Sequence, residues 1–256
     1  MQLVDTHTHL YLDQFKDDID TLIKRASKKN INKFYFPAID SEHIENMLAL
    51  HRSYPEQTRI MTGLHPCSVK ENFEEELKIV EQQLKEHHVC AIGEIGIDLY
   101  WDRTFIKEQI RAFEHQIDLA KKVGLPIVIH ARDSFDEIFD VLDRKNDENL
   151  KGIFHCFTGS LAQANHILNY GDFKLGIGGV VTFKNSGLDK VVKELSLKDL
   201  VLETDAPYLT PAPYRGKRNI PEYLELVALK LCDIFEKPLD EVAAITTKNA
   251  IELLGE

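Results

Sequence analysis

The 256-residue sequence contains only four cysteines and no long apolar segment. The cysteines, at positions 67, 90, 156 and 232, lack the paired spacing of a zinc site or a disulfide framework, which indicates a reduced, cytoplasmic protein. No apolar run approaches the ~18 residues that a membrane-spanning helix needs, and residues 1–5 show no basic, signal-like start. These features exclude a secreted disulfide scaffold and a membrane protein.

Positive charge is also scarce. The formal net charge is −11, so the sequence lacks the excess of lysine and arginine with which proteins coat nucleic acid nonspecifically. This excludes a broad basic surface, but it leaves open a nuclease whose active site gains positive charge from metal ions. The composition, 43% hydrophobic and 29% charged, is that of an ordinary globular protein.

The sequence does contain a regular alternation of short apolar runs and longer amphipathic segments. The apolar runs are continuous rather than alternating, which is typical of parallel strands buried on both faces. They predict eight strands, at residues 3–5, 33–39, 59–65, 89–93, 126–130, 152–155, 173–178 and 200–204. Helical spacing fills the gaps between them and continues after the last strand, at residues 221–235 and 238–254.

Eight strand–helix units without a linker or a break in composition predict one domain over residues 1–256 with the fold of an α/β (β/α)8 TIM barrel. An open, doubly wound sheet is the alternative, because it also alternates strands and helices. Its nucleotide-binding members follow the first strand with a glycine-rich turn. Here that place is taken by Thr6, His7, Thr8 and His9, which favours the barrel.

Residues that bind metals recur at the carboxyl ends of the predicted strands, where barrel enzymes place their active sites. His7 and His9, two apart in an extended segment, point to the same side. Any one such histidine is more often a packing residue, but recurrence on five strands favours a metal site. Six ligands suit two ions bridged by a carboxylate: His7, His9, Glu94, His130, His155 and Asp205.

The sequence resembles the TatD family of metal-dependent deoxyribonucleases, within the amidohydrolase-like barrel group. Six segments in the same order carry the resemblance: DTHTH at 5–9, GLHP at 63–66, GEIGID at 93–98, PIVIHARD at 126–133, HCFTG at 155–159 and LETDAPYL at 202–209. Pro211 and residues 215–219 extend the last one. The resemblance implies a TIM barrel with two divalent metal ions and hydrolysis of phosphodiester bonds in DNA.

The resemblance also implies which residues hold each ion. One ion is expected on His7, His9, Glu94 and Asp205, and the other on Glu94, His130 and His155, with Glu94 as the bridge. Asp205 is the candidate that takes the proton of the attacking water. Glu203, one layer deeper, is expected either to orient a ligand histidine or to form a buried ion pair. The metal stays open among zinc, manganese, nickel, iron and magnesium.

The segment that follows Asp205 predicts a wall of the substrate pocket. Three prolines stiffen it, and Arg215, Lys217 and Arg218 offer positive charge to phosphate, although a solvated loop is the alternative. Arg132, beside His130, and His65, at the end of the third strand, are further candidates for phosphate contact. A concave mouth admits single strands or chain ends more easily than a duplex, so we expect DNA of that form as substrate.

Two other functions stay open. The first is a small-molecule amidohydrolase, such as a lactonase, cyclic amidase or deaminase, on the same scaffold. Enzymes of that group often bridge their metals with a modified lysine, whereas this strand end offers Glu94, and the basic loop favours a substrate with phosphate. The second is a metal-binding protein without catalysis, which would need no stiffened substrate wall. No obligate protein partner is indicated.

Overall fold

Eight parallel strands form the centre of the protein in the computed structural model, which describes residues 2–256. Within that range β1 to β3 pair in sequence order, and so do β4 to β8. The strands are β1 Leu3–Asp5, β2 Ile31–Phe36, β3 Thr58–Ile60, β4 Ile92–Asp98, β5 Ile127–Arg132, β6 Gly152–Phe154, β7 Phe173–Ile177 and β8 Leu200–Leu202.

Two sets of contacts close these strands into a ring. Between β3 and β4, Thr62 forms a parallel bridge with Ile92, and the Gly93 amide donates to the Thr62 carbonyl at 2.9 Å. Between β8 and β1, the Thr6 amide donates to the Leu202 carbonyl at 3.0 Å. The predicted (β/α)8 TIM barrel is thereby confirmed, and the open-sheet alternative is wrong.

Helices surround the barrel because each has one apolar face that packs on the strands. In the longest of them, Phe113, Ile117 and Ala120 are buried, and it ends at Gly124, which has the left-handed conformation with φ +72°. None of the helices in residues 2–256 combines the length and the apolar content needed to cross a membrane. The helices are α1 Ile19–Ser27, α2 Ile44–Ser53, α3 Phe73–Glu86, α4 Ile106–Val123, α5 Phe135–Lys145, α6 Leu161–Asn169, α7 Leu188–Lys193, α8 Leu224–Phe235 and α9 Leu239–Leu254.

The interior of the barrel has an apolar floor below a polar layer. Because alternate residues of a strand face the same side, Val128 lies one layer below His130, Ile153 below His155, and Val201 below Glu203. The apolar residues pack together with Leu253 and Leu254 of α9, so the last helix covers the amino end of the barrel. The polar layer above them faces the carboxyl end, which we call the mouth.

The strand bounds differ most from prediction at β4, which runs to Asp98 instead of ending at residue 93. Glycine normally interrupts a strand, but here it permits close pairing with β5. A Cβ at position 96 would lie 2.1 Å from the His130 carbonyl oxygen. Glu94 is therefore inside the strand and buried, rather than just beyond its end.

The predictions for β2 and β3, at residues 33–39 and 59–65, were too long at the carboxyl end. The residues that follow each strand leave the ladder for contacts around the mouth. Ala38 exchanges backbone hydrogen bonds with Gly93 and Glu94, and the His65 amide donates to the Ile39 carbonyl at 2.8 Å. These contacts bring His65 next to Glu94.

Candidate metal centre

The carboxylate of Glu94, which is 2% exposed, lies at the centre of a ring of imidazoles. Its Oε2 is 3.1 Å from Nε2 of His7 and 3.6 Å from Nε2 of His9. Its Oε1 is 2.7 Å from Nδ1 of His130 and 2.9 Å from Nε2 of His155. Burial alone would raise the pKa of Glu94, but the charges of the surrounding histidines, His155 foremost, hold it well below its usual value.

Asp205 joins the side of this ring that faces Oε2 of Glu94. Its Oδ1 lies 3.8 Å from Nε2 of His7 and 3.6 Å from Nε2 of His9. The Asp205 amide donates to the His7 carbonyl at 2.9 Å, so β1 positions the loop that follows β8. We call the six residues the Glu94 cluster: His7, His9, Glu94, His130, His155 and Asp205.

The tautomer of His9 is fixed by Tyr11. The Tyr11 hydroxyl donates its hydrogen to the Pro37 carbonyl at 2.6 Å, so it can only accept from Nδ1 of His9, 2.9 Å away. Nδ1 of His9 therefore carries a proton, and the neutral ring presents the lone pair of Nε2 to the cluster.

Carboxylates orient the rings of His130 and His155 in the same way, each by facing the outer nitrogen. Nε2 of His130 donates to Oδ2 of Asp98 at 2.8 Å, which leaves Nδ1 to face Glu94. Nδ1 of His155 lies 3.3 Å from Oε1 of Glu203, within ion-pair range though not aligned as a hydrogen bond. Glu203 also accepts the amide hydrogen of Cys156. Each outer nitrogen thus faces an acceptor.

This arrangement fits metal ions. The rings of His9, His130 and His155 carry protons on their outer nitrogens and turn their inner nitrogens toward the buried Glu94 carboxylate. A lone pair facing a carboxylate is repelled, so each inner nitrogen must bind either a second proton or a cation. Without a cation the second proton is favoured. Burial lowers the pKa of His130 and of His155, but the hydrogen bonds of His130 to Asp98 and Glu94, and the charges of Glu94 and Glu203 on His155, raise both above the usual value.

In His65 the proton is on the inner nitrogen and not on the outer one. Its Nδ1 accepts from the Cys67 amide at 3.0 Å, so the proton of the neutral ring is on Nε2, which lies 3.4 Å from Oε1 of Glu94. A nitrogen that carries its proton is not a metal ligand. His65 is therefore a hydrogen-bond donor toward the mouth, although it too lies within ion-pair distance of Glu94.

His7 is held by packing and by the backbone rather than by a partner on its outer nitrogen. Its ring stacks on that of His155 with centroids 3.7 Å apart, and its Nδ1 is buried without a hydrogen-bond partner. Below it, buried Asp5 accepts hydrogen bonds from the amide and the hydroxyl of Thr204, at 2.9 and 2.6 Å. Burial raises the pKa of Asp5 to about 8 despite these bonds.

Known proteins resemble this chain over nearly its whole length. A family model described as TatD related DNase matches residues 4–255. The chain belongs to that family. It is 38% identical over 252 residues to a Bacillus subtilis protein named as the uncharacterized metal-dependent hydrolase YabD, and the match covers 98% of each chain. The crystal structure of YjjV, a TatD homolog from Escherichia coli K12, is 32% identical with a TM-score of 0.93, and covers 99% of this chain and 98% of that one.

Membership of the TatD family makes the chain a metal-dependent hydrolase. A Haemophilus influenzae relative, also named as an uncharacterized metal-dependent hydrolase, is 35% identical over 268 residues and matches 100% of both chains. In this TatD-family chain two polar residues that orient candidate ligand histidines were not predicted from the sequence, Tyr11 and Asp98. Both lie at even spacing from a proposed ligand, Tyr11 after His9 and Asp98 after Glu94, and that spacing was the available signal.

The basic residues of the loop after β8 differ in their surroundings. Arg218 forms an ion pair with Asp18 and donates to the Gln14 carbonyl, so its guanidinium is bound to the protein. Arg215 stacks on the Phe183 ring at 4.0 Å, and the Lys217 ammonium lies 5.6 Å from the Tyr214 ring. Within residues 2–256, neither Arg215 nor Lys217 has a carboxylate partner within 4.0 Å.

Proposed function

We propose that this TatD-family protein is a deoxyribonuclease that hydrolyses phosphodiester bonds with two divalent metal ions. The main support for two ions is that the two oxygens of the Glu94 carboxylate face different pairs of histidines. One oxygen faces His7 and His9, and the other faces His130 and His155. A pair of ions is typically bridged by a carboxylate shared in this way.

Each ion is assigned the ligands on one side of the Glu94 carboxylate. Bound there, the ions would supply positive charge that offsets the phosphate and would acidify water. The mixed nitrogen and oxygen donors suit zinc, manganese, iron or nickel, with magnesium as the oxygen-preferring alternative. We assign His7, His9, Asp205 and Glu94 to one ion, and Glu94, His130 and His155 to the other.

Asp205 is the proposed proton acceptor. Its side chain is 10% exposed against 2% for Glu94, so it is the carboxylate of the cluster that entering water reaches. Burial acts to raise the pKa of Asp205, but His9, with Nε2 3.6 Å away, and the charges of His155 and His7 keep it below its usual value. The carboxylate is therefore ionised and able to take a proton at neutral pH.

Other residues act on the substrate or on the ligands. Nε2–H of His65 donates a hydrogen bond to a phosphate oxygen, and Arg215 and Lys217 attract the neighbouring phosphates. Glu203 and Asp98 hold His155 and His130 in position. Because the Glu94 cluster is buried at the mouth of the barrel and the net charge is −11, the expected substrate is single-stranded DNA or a chain end. The four free cysteines support a cytoplasmic location.

The test uses end-labelled single-stranded and double-stranded oligonucleotides beside a covalently closed plasmid, with each metal restored in turn to chelated protein. We expect metal-dependent cleavage of the oligonucleotides, fastest from ends or on single strands, and little nicking of the plasmid. Glu94→Gln keeps the size of the side chain but loses the anionic bridge, and serves as the inactive control. Hydrolysis of a lactone or cyclic amide by the same preparation, with DNA left intact, would replace the proposal with an amidohydrolase.

A further inference from the structure

The loop after β4 exposes two aromatic rings at the rim of the mouth. Tyr100 is 53% exposed and Trp101 is 70% exposed, and their rings meet edge to face with centroids 4.8 Å apart. Trp101 is the single tryptophan of the sequence. Large exposed aromatic surface beside an active site commonly marks a contact with a ligand.

The position of this loop depends on the same residue that orients a ligand histidine. Oδ1 of Asp98 accepts from the amides of Tyr100 and Trp101 at 3.0 and 3.3 Å, while its Oδ2 accepts from His130. One carboxylate therefore joins the two rings to the Glu94 cluster. The two rings are therefore close to the cluster, because the single residue Asp98 connects their backbone amides to His130, a proposed metal ligand.

Arg132 completes this part of the rim. It follows His130 by two residues, and its guanidinium carbon lies 3.8 Å from the centroid of the Tyr100 ring and 5.1 Å from that of Trp101. Among residues 2–256 no carboxylate lies within ion-pair distance of it, in contrast to Arg218. An arginine that is oriented by aromatic rings and not neutralised by the protein can bind a phosphate in bidentate fashion.

We propose that Tyr100, Trp101 and Arg132 form a nucleotide subsite, in which a rim aromatic ring stacks on an unpaired base and Arg132 binds a phosphate of the same strand. The proposal rests on the proposed function, because it supplies the grip on the nucleotide next to the phosphate held at the Glu94 cluster. Every base has a flat face, so such stacking tolerates any sequence. It requires a base that has left the duplex, which adds a physical reason for preferring single strands.

Trp101 itself reports on the subsite. With metal-loaded wild-type protein, deoxyadenosine 5′-monophosphate, which has no diester to cleave, is expected to quench tryptophan fluorescence in a saturable manner. Deoxyribose 5-phosphate, which keeps the phosphate and lacks the base, is expected not to quench it. Equal effects of the two compounds, or no effect of the nucleotide, would overturn the stacking assignment.

Kinetics on a short single-stranded oligonucleotide give a second readout. Trp101→Ala is expected to raise KM about tenfold with a smaller change in kcat, as loss of one base–aromatic stack predicts. Trp101→Phe should recover most of the loss, and Leu229→Ala, which removes an exposed side chain on α8, should change neither constant. A KM for Trp101→Ala equal to that of wild type would contradict the subsite.

The two proposals can fail separately. Cleavage of DNA without nucleotide quenching would leave the nuclease assignment and remove the subsite. Nucleotide quenching without cleavage of DNA would leave a nucleotide-binding rim and remove the nuclease assignment. Absence of both would remove both.

Discussion

The chemistry of single atoms decides which histidines can bind metal. Nε2 of His65 lies 3.4 Å and Nδ1 of His130 lies 2.7 Å from Oε1 of Glu94. In the neutral rings the inward nitrogen of His65 carries the proton, whereas that of His130 carries the lone pair. The difference comes from the outer partner, an amide N–H for His65 and the Asp98 carboxylate for His130. A count of histidines near the mouth would not distinguish them.

At this scale Asp98→Asn is informative. The two amides that bond to Oδ1 will hold the oxygen of the asparagine, so its NH2 group will face His130 and donate to Nε2. The ring must then protonate Nδ1, the atom proposed to bind metal. We expect metal affinity to fall about 10–100-fold, as for other residues that orient ligand histidines.

Metal content after dialysis against a graded chelator series measures this effect. Asp143→Asn is the matched control, because Asp143 bonds to His166 at 3.0 Å on the outside of the barrel. Metal retention by Asp98→Asn equal to that of the control would show that the tautomer of His130 is not set by Asp98.

The sequence alone indicated the candidate ligands and Glu203 as the partner of a candidate histidine, but it did not indicate Tyr11 or Asp98 as partners. Histidines and carboxylates at predicted strand ends can be recognised in the sequence, and they can be grouped because the carboxyl ends of all barrel strands meet at one mouth. The pairing of Arg218 with Asp18 is not visible, because the two residues are distant in the chain and meet only when the loop after β8 packs beside α1. The roles of Tyr11 and Asp98 depend on hydrogen-bond direction, which spacing alone does not give.

At the scale of elements, the loop after β8 is a stiff wall fixed at both ends. Asn219 donates to the carbonyls of Thr204 and Tyr208, each at 2.7 Å, and Thr210 bonds to the Lys217 carbonyl. Arg218 fastens the loop to the start of α1. The basic residues of the loop therefore divide into one that anchors it and two that are free to meet phosphate.

Salt dependence separates these roles. For cleavage of single-stranded DNA, Arg215→Ala and Lys217→Ala are each expected to reduce the slope of log KM against log salt by about 0.7, the loss of one phosphate contact. Arg218→Ala should leave that slope near wild type, because its charge is already neutralised by Asp18, and should lower thermal stability instead. The opposite pattern would assign the phosphate contact to Arg218.

A second element contact links the loops after β2 and β3. Asp40 accepts hydrogen bonds from Ser68 and from the His43 ring, both at 2.6 Å, and from the Glu42 amide at 3.2 Å. Burial acts to raise the pKa of Asp40, but the bonds from Ser68 and His43 lower it below its usual value. A lowered pKa in the folded state stabilises the protein above the unfolded pKa, and this contribution disappears as the pH falls through the folded value.

Asp40→Asn should therefore reduce the free energy of unfolding by about 1 kcal/mol at pH 7, a value discounted because the site is partly exposed. The difference from wild type should shrink below about pH 4 as the wild-type carboxylate is protonated. Denaturant unfolding at several pH values measures it, with exposed Asp17→Asn as the control. A difference that is constant from pH 7 to pH 3 would show that the charge is not involved.

At the scale of the whole molecule, the barrel was predictable and the strand bounds were less so. Eight apolar runs separated by helical periods determine the order of elements, and the order determines the barrel. The predicted bounds of β4 were wrong because the strand continues to Asp98, and Gly93 and Gly96 lie inside it and let it approach β5. That approach is what buries Glu94.

The Glu94 cluster also joins β1, β4, β5, β6 and the loop after β8, so metal binding should stabilise the whole fold. At a free metal concentration about 1,000 times the dissociation constant, the gain is about 4 kcal/mol, or roughly 10 °C in Tm for a chain of this size. We expect chelation to lower Tm by that amount and re-addition of metal to restore it. Glu94→Gln should show little shift, and an equal shift in that variant would place the stabilising ion elsewhere.

The apolar floor of the barrel affects how substrate and products reach the Glu94 cluster. It is formed by Val128, Ile153 and Val201 with Leu253 and Leu254 of α9. The hydroxyl of Tyr35 bonds to the Gly255 carbonyl and Arg59 to that of Glu256, so the end of the chain is fastened across the same side. Within residues 2–256 the barrel is closed at this end, so the mouth gives access to the Glu94 cluster. In the proposed deoxyribonuclease, the incoming strand, the attacking water and both departing fragments would share the mouth, and each released fragment would compete with the next segment of the strand for the place it has left.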